Sequence, residues 1–213
     1  MLVYGEWPNQ TKNILPFFTA SFSENEKIVV NKDFTSPLKF IFVGSLSTGK
    51  RPLFAIKLIE NLMGKGIPVK LEIYGAGILK NELQEYITTK NLDPFVSLMG
   101  SIKLEELKEV YIASHFLILA SQSEGWPKAV AEAMFFGCVP VVTSVSCVPW
   151  MLNYGGRGIL IDENVTSATE KIQQEIRNPG NLEQKSIAAQ TWSQEYTLER
   201  FEQGIIKILH DSH

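Results

Sequence analysis

From residue 39 onward, hydrophobic and polar positions follow two periods in turn. Short apolar runs at 40–43, 69–73, 95–98, 116–119 and 139–142, with a further short one at 158–161, are rich in Val, Ile and Phe and too short for helices. They predict strands, the unbroken ones buried on both faces. Between them apolar residues fall at helical spacing. Pro52 opens a helix whose inner face is Phe54, Ile56, Leu58, Ile59 and Leu62, and further helices are predicted over 79–90, 104–113, 126–136, 165–177 and 183–211. Strands alternating with helices predict an α/β fold, a parallel sheet of about six strands with helices on both faces. Residues 1–38 contain Pro8, Pro16 and Pro37 and no sustained period, and read as an extended lead-in or linker. Residues 39–180 form the main domain, and 181–213 are carboxyl-terminal helices packed on it.

Open parallel sheets bind ligands at the carboxyl ends of their strands, which directs attention to the turns at 44–51, 74–78, 99–103 and 120–126. The first, Gly44-Ser-Leu-Ser-Thr-Gly-Lys-Arg51, fits GxxxxGK but has Arg51 where a P-loop carries the Ser or Thr that holds magnesium. A guanidinium repels that ion. The electrostatics suit a metal-free alternative, in which a glycine-containing turn admits a diphosphate and Lys50, with Arg51, neutralises it. Alone, a Lys-Arg pair beside a turn is equally a solvated surface pair.

The fourth turn runs into the most informative segment, 121–137. Ser123 or Glu124 can cap a helix, Pro127 suits its first turn and Gly137 its end. The free N–H groups of residues about 125 to 130 would then point into the crevice, ready for a pyrophosphate. Glu124 precedes the helix, and Glu132 lies a turn and a half inside it, suited to accepting hydrogen bonds from a ribose diol. Either glutamate alone reads as a cap or a solvated helix residue. The spacing Glu-x7-Glu makes the pair notable.

Composition removes several function classes. The 213 residues are 45% hydrophobic, and 20 Lys and Arg stand against 23 Asp and Glu, for a net charge of -3. Without a basic patch, nucleic acid is not an expected partner. No apolar stretch approaches the roughly 20 residues of a membrane helix, and Met1 to Pro8 lacks the apolar core of a signal peptide. Cys138 and Cys147 lie in apolar sequence and read as reduced thiols of a cytoplasmic protein. The Asn9 and Asn164 glycosylation triplets carry no weight without a secretory signal. His115, His210 and His213 are scattered, so no metal cluster is expected. Trp126 and Trp150 fall near the predicted crevice mouth, where they pack a loop as readily as they stack on a sugar.

Taken in order, the stretch at 42–50, Leu71-Glu-Ile-Tyr-Gly-Ala-Gly77, Val96-Ser-Leu-Met-Gly100, the segment 121–143 with its Glu-x7-Glu, Gly158-Ile-Leu-Ile161 and Thr191-Trp-Ser193 resemble the donor-site signature of the group 1, or family 4, retaining glycosyltransferases. The resemblance covers roughly residues 39–211. It implies the Rossmann-like carboxyl-terminal half of a GT-B enzyme, transferring a hexose from a UDP- or GDP-sugar without metal or cofactor and with retention of configuration. Lys50 would hold the donor diphosphate and Glu124, the catalytic candidate, would contact the transferred sugar. The segment Gly125, Trp126, Pro127, Lys128 and Ala129 would help place sugar and diphosphate, and Glu132 would bind the ribose. Gly44, Ser45, Arg51, Tyr74 and Gly75 would line the nucleotide, with Gly100 and Ile102 beside the base. Ser45 stands where many members carry Arg, and Ser146-Cys-Val-Pro-Trp150 replaces a common glycine pair and acidic residue. The acceptor, a glycan or lipid-linked sugar, would be held by an amino-terminal domain that this chain lacks, so the chain alone is expected to be inactive. Such an enzyme belongs to the cytoplasm or the inner face of a membrane, where it can associate peripherally, and a bacterial cell-surface polysaccharide role fits family habit. Two other readings use the same residues: a non-catalytic nucleotide-sugar-binding or interaction module, and a P-loop phosphotransferase.

Overall fold

The computed structural model describes residues 1–5, 14–35 and 37–210. A six-stranded, wholly parallel sheet is built from β3 (Leu38–Val43), β4 (Val69–Tyr74), β5 (Val96–Gly100), β6 (Phe116–Leu119), β7 (Val139–Thr143) and β8 (Ile159–Ile161). A separate two-stranded parallel ladder pairs β1 (Leu2–Tyr4) with β2 (Leu15–Phe17). The helices are α1 (Pro52–Gly64), α2 (Lys80–Thr89), α3 (Leu104–Ala113), α4 (Lys128–Phe135), α5 (Val148–Met151), α6 (Val165–Ile176), α7 (Pro179–Ser193) and α8 (Leu198–His210). The predicted fold is the one found: an α/β sheet of six parallel strands flanked by helices.

Burial explains why the strands form where they do. Every residue of β6 and β7 is buried, as expected of strands covered on both faces, whereas the edge strand β5 alternates. Phe40 stacks on Phe116 across the β3–β6 pair, with ring centroids 4.5 Å apart. The spatial order is β5-β4-β3-β6-β7-β8. The chain therefore builds outward from β3 in one direction, returns to pair β6 with β3, and builds outward in the other. The crevice at such a reversal is where open α/β sheets take ligands, and it lies between the loops that follow β3 and β6.

Three boundaries differ from expectation. The helix expected from Trp126 starts at Lys128, with Pro127 as its N-cap and no side-chain cap. Trp126 precedes a proline, whose ring keeps it out of the helical region, so the helix cannot begin earlier and neither Ser123 nor Glu124 caps it. The single helix expected over 183–211 is two, broken at Gln194 to Thr197. There Tyr196 enters an aromatic cluster, and the Thr197 hydroxyl accepts the Arg200 amide at 3.4 Å while donating to Glu24 at 2.8 Å. The lead-in is more than a linker, since Phe22 and Phe34 are buried in the main core. Asn164 caps α6 through the Ser167 amide, and the Asn9 triplet and His213 fall outside the described residues.

Candidate functional site

The loops after β3 and β6 meet across the switch point. The Gln122 amide donates to the Gly49 carbonyl at 2.9 Å. Above this tie, Lys50 Nζ donates to Glu124 Oε1 at 2.5 Å. The Glu124 side chain is 7% exposed and that of Lys50 is 32% exposed, so the carboxylate is held inside the crevice and the ammonium sits at its wall. Ser146, whose hydroxyl accepts the Glu124 amide at 3.4 Å, supports the loop from the β7 side.

At the carboxyl ends of β3 and β4 lies a cavity of about 200 Å³ lined by Val43, Gly44, Ser45, Tyr74, Gly75, Ala76, Ser101, Ile102 and Leu107. Five predicted site residues (Gly44, Ser45, Tyr74, Gly75 and Ile102) thus share one hollow at the strand ends. Its backbone walls are close-set. The Gly44 amide donates to the Tyr74 carbonyl at 3.0 Å and the Gly75 amide to the Gly100 carbonyl at 2.8 Å. Gly75 has φ +144, and a Cβ there would stand 1.9 Å from the Gly44 carbonyl oxygen, so only glycine fits. Gly100, at φ +78, turns the chain beneath the cavity without lining it. Tyr74 donates its hydroxyl to Glu72 at 2.6 Å, and Glu72 pairs with Lys39 at 2.9 Å.

Glu132 accepts two hydroxyls, from Ser21 Oγ on Oε1 at 2.5 Å and from Tyr111 Oη on Oε2 at 2.9 Å. Tyr111 is fully buried, and burial beside the Glu132 carboxylate raises its pKa well above the ordinary tyrosine value, so it remains an O–H donor. Leu107 lines the cavity and Tyr111, which holds Glu132, lies one turn further along α3; Glu132 itself does not line the cavity.

Other expected residues are not gathered here. The Arg51 guanidinium lies 2.9 Å from Glu163 and lines a different groove with Thr48, Lys57 and Glu82, because Arg51 adopts a left-handed φ of 54 that swings it away from Lys50. The Trp126 ring is buried among Tyr4, Phe18, Trp150, Trp192 and Tyr196 and is not free to stack on a sugar. Pro127 has no N–H to offer. Of the expected amides, those of Lys128 and Ala129 start α4 and have no acceptor within the helix. Gly125 packs against the Tyr4 ring. His115 is structural, its Nδ1 accepting the Lys39 amide at 2.9 Å. Ser101 belongs to the turn expected beside the base, whereas Ser21, Leu107, Tyr111 and Ser146 were not among the expected residues. Leu107 and Tyr111 read as an ordinary i, i+4 core stripe, and the serines carry no local signal.

This arrangement defines a Rossmann-like domain with its ligand crevice at a topological switch point. Beyond the class, the chain belongs to the glycosyl transferases group 1, whose family pattern matches residues 23–192. It is 30% identical over 139 residues to a putative colanic acid biosynthesis glycosyltransferase of Salmonella typhimurium, covering 62% of this chain and 34% of the relative. It is 23% identical over 136 residues to the GDP-mannose:cellobiosyl-diphosphopolyprenol alpha-mannosyltransferase of Xanthomonas oryzae, covering 62% of this chain and 36% of that protein. The chain thus spans about a third of the length of these curated relatives. Among solved structures it shares the fold of Anabaena HepE in complex with UDP and glucose, with TM-score 0.79 and 17% identity over 96% of this chain and 59% of that one. It also shares the fold of an S. aureus TarM mutant in complex with UDP among other ligands, with TM-score 0.77 and 22% identity over 92% of this chain and 39% of that one. Among the described residues no helix is long and apolar enough to cross a membrane.

Proposed function

We propose that this chain is the donor-binding domain of a longer glycosyltransferase, taking a UDP- or GDP-sugar for retaining, metal-independent transfer of a hexose to a glycan or lipid-linked acceptor. The observation that carries the reading is the meeting of Lys50 and Glu124 at 2.5 Å across the switch point, with Lys50 on the same loop whose Gly44 and Ser45 line a cavity together with Tyr74, Gly75 and Ile102. The nucleotide complexes of the fold's relatives and the names of its curated relatives support it.

In the proposed site the base and ribose occupy the cavity and its α3 wall. The diphosphate bridges to Lys50 and to the first amides of α4, and Lys50 exchanges part of its bond to Glu124 for the phosphate oxygens. Glu124 then faces the transferred sugar. As the bond to the diphosphate breaks, positive charge grows on the sugar ring and negative charge on the leaving group. The buried carboxylate stabilises the first, and Lys50 with the helix amides stabilises the second. No metal is required for either. The acceptor side, and therefore turnover, belongs to a domain outside this chain, which is expected to bind donor without transferring sugar. The P-loop alternative is disfavoured because Arg51 supplies no hydroxyl and turns toward Glu163.

Calorimetric titration with UDP, GDP, ADP and Mg-ATP, with and without EDTA, tests the reading. It expects metal-independent binding of a nucleoside diphosphate that Lys50→Ala and Glu132→Ala both weaken. Magnesium-dependent ATP binding indifferent to Glu132 would overturn it.

A further inference from the structure

The segment before β3 contributes directly to the candidate site. Phe22 packs at 5.2 Å from Phe135 and 4.8 Å from Phe136, and Phe18 lies 6.0 Å from Trp126, so the chain between them is clamped across α4. Ser21 stands inside that clamp and gives its hydroxyl to Glu132 Oε1. The same segment acts a second time through Lys32, whose ammonium donates to the carbonyls of Tyr111 at 2.8 Å and Ile112 at 2.5 Å and so fixes the end of α3. Cys138 adds a thiol donor to the Tyr111 carbonyl at 3.1 Å. Tyr111, held in this way, gives its hydroxyl to Glu132 Oε2.

We propose that Ser21 and Tyr111 are positioning residues for nucleotide binding: each occupies one lone pair on one oxygen of Glu132 and leaves the other aimed at one hydroxyl of a vicinal diol. An ionised carboxylate has about four acceptor sites. Two fixed donors, one per oxygen, set its plane and remove the rotamer freedom that a diol would otherwise have to freeze. Because both donors are neutral, they hold the carboxylate without cancelling the charge that strengthens its bonds to the ligand. This inference rests on the reading of Glu132 as the ribose ligand.

The test is titration of the 213-residue chain with UDP and GDP and with their 2′,3′-dideoxy counterparts. The readout is the ratio of the two dissociation constants, which isolates the contribution of the diol. In the unsubstituted chain the ratio is expected to be about tenfold or more, one charge-assisted hydrogen bond being worth about that factor, and Glu132→Ala brings it close to one. Ser21→Ala and Tyr111→Phe each lower the ratio about threefold or more while changing dideoxynucleotide affinity less than about twofold, and Ser21→Thr, which keeps the hydroxyl, restores it. Equal weakening of both ligands, or an unchanged ratio in both variants while Glu132→Ala abolishes it, overturns the positioning role and spares the ribose reading. No nucleotide binding, or no diol discrimination in the unsubstituted chain, overturns that reading and this inference with it.

Discussion

Lys50 and Glu124 make a pair whose members are unequally buried, and the inequality yields a signed prediction. Lys50→Met removes the ammonium and leaves a carboxylate that is 7% exposed without its ionic partner. Breaking a fully buried pair costs about 3–5 kcal/mol and an exposed one about 0–1 kcal/mol. With one partner buried and the other about a third exposed, about 2 kcal/mol is expected. For a domain of this length that is a fall in melting temperature of about 4–8 °C. Glu124→Gln instead leaves an ammonium at the crevice wall, where it can turn to water, and should cost under about 1 kcal/mol. The double variant should be no less stable than Lys50→Met alone, because the unpaired charge is gone. Thermal unfolding of the four proteins, without nucleotide and at one ionic strength, measures all three differences. If Glu124→Gln destabilised more than Lys50→Met, or the double variant were less stable than Lys50→Met alone, the carboxylate would not be the buried member and the site geometry would be wrong.

Gly75→Ala places a Cβ 1.9 Å from the Gly44 carbonyl oxygen at a positive φ. It should cost at least about 3 kcal/mol in urea unfolding, whereas Gly49→Ala, with open space around it, should cost little; a Gly75 loss below about 1 kcal/mol refutes the close approach. Burial, reinforced by the Lys32 ammonium, lowers the pKa of His115 below its ordinary 6.5. The unfolded chain therefore takes up that proton first as pH falls, so stability should decline from about 6.5 down to the folded-state value and then level off. Urea midpoints between pH 7.5 and 4.5 for the protein and for His115→Gln check this, the variant losing that component of the slope. Burial pushes Cys138 and Cys147 up to about 11. Both should react with iodoacetamide at pH 7.5 on the order of a hundredfold slower than an ordinary free thiol, and fast labelling of either refutes the burial.

The strands, most helices and the sheet's parallel character were legible in sequence because they depend on local periodicity. Runs such as Phe116–Leu119 cannot satisfy a half-exposed strand, and Pro52 and Gly137 punctuate helices by their own backbone limits. The two glutamates stood out as candidates because their spacing is set along one short segment. Expectation and structure parted where a neighbour in space decided the outcome. Arg51 follows Lys50 in sequence, yet a left-handed φ sends it to Glu163. Trp126 adjoins the site, yet its ring serves an aromatic cluster drawn from the lead-in, α5, α7 and their flanking turns. Ser21 and Tyr111 reach Glu132 from 111 and 21 residues away. Sequence determined which residue types were available at the strand ends, since hydrophobic period and turn chemistry are local properties. Only the tertiary structure decided which of them face one another, because hydrogen bonds and ion pairs act over about 3 Å and the order of strands in the sheet sets which loops come that close.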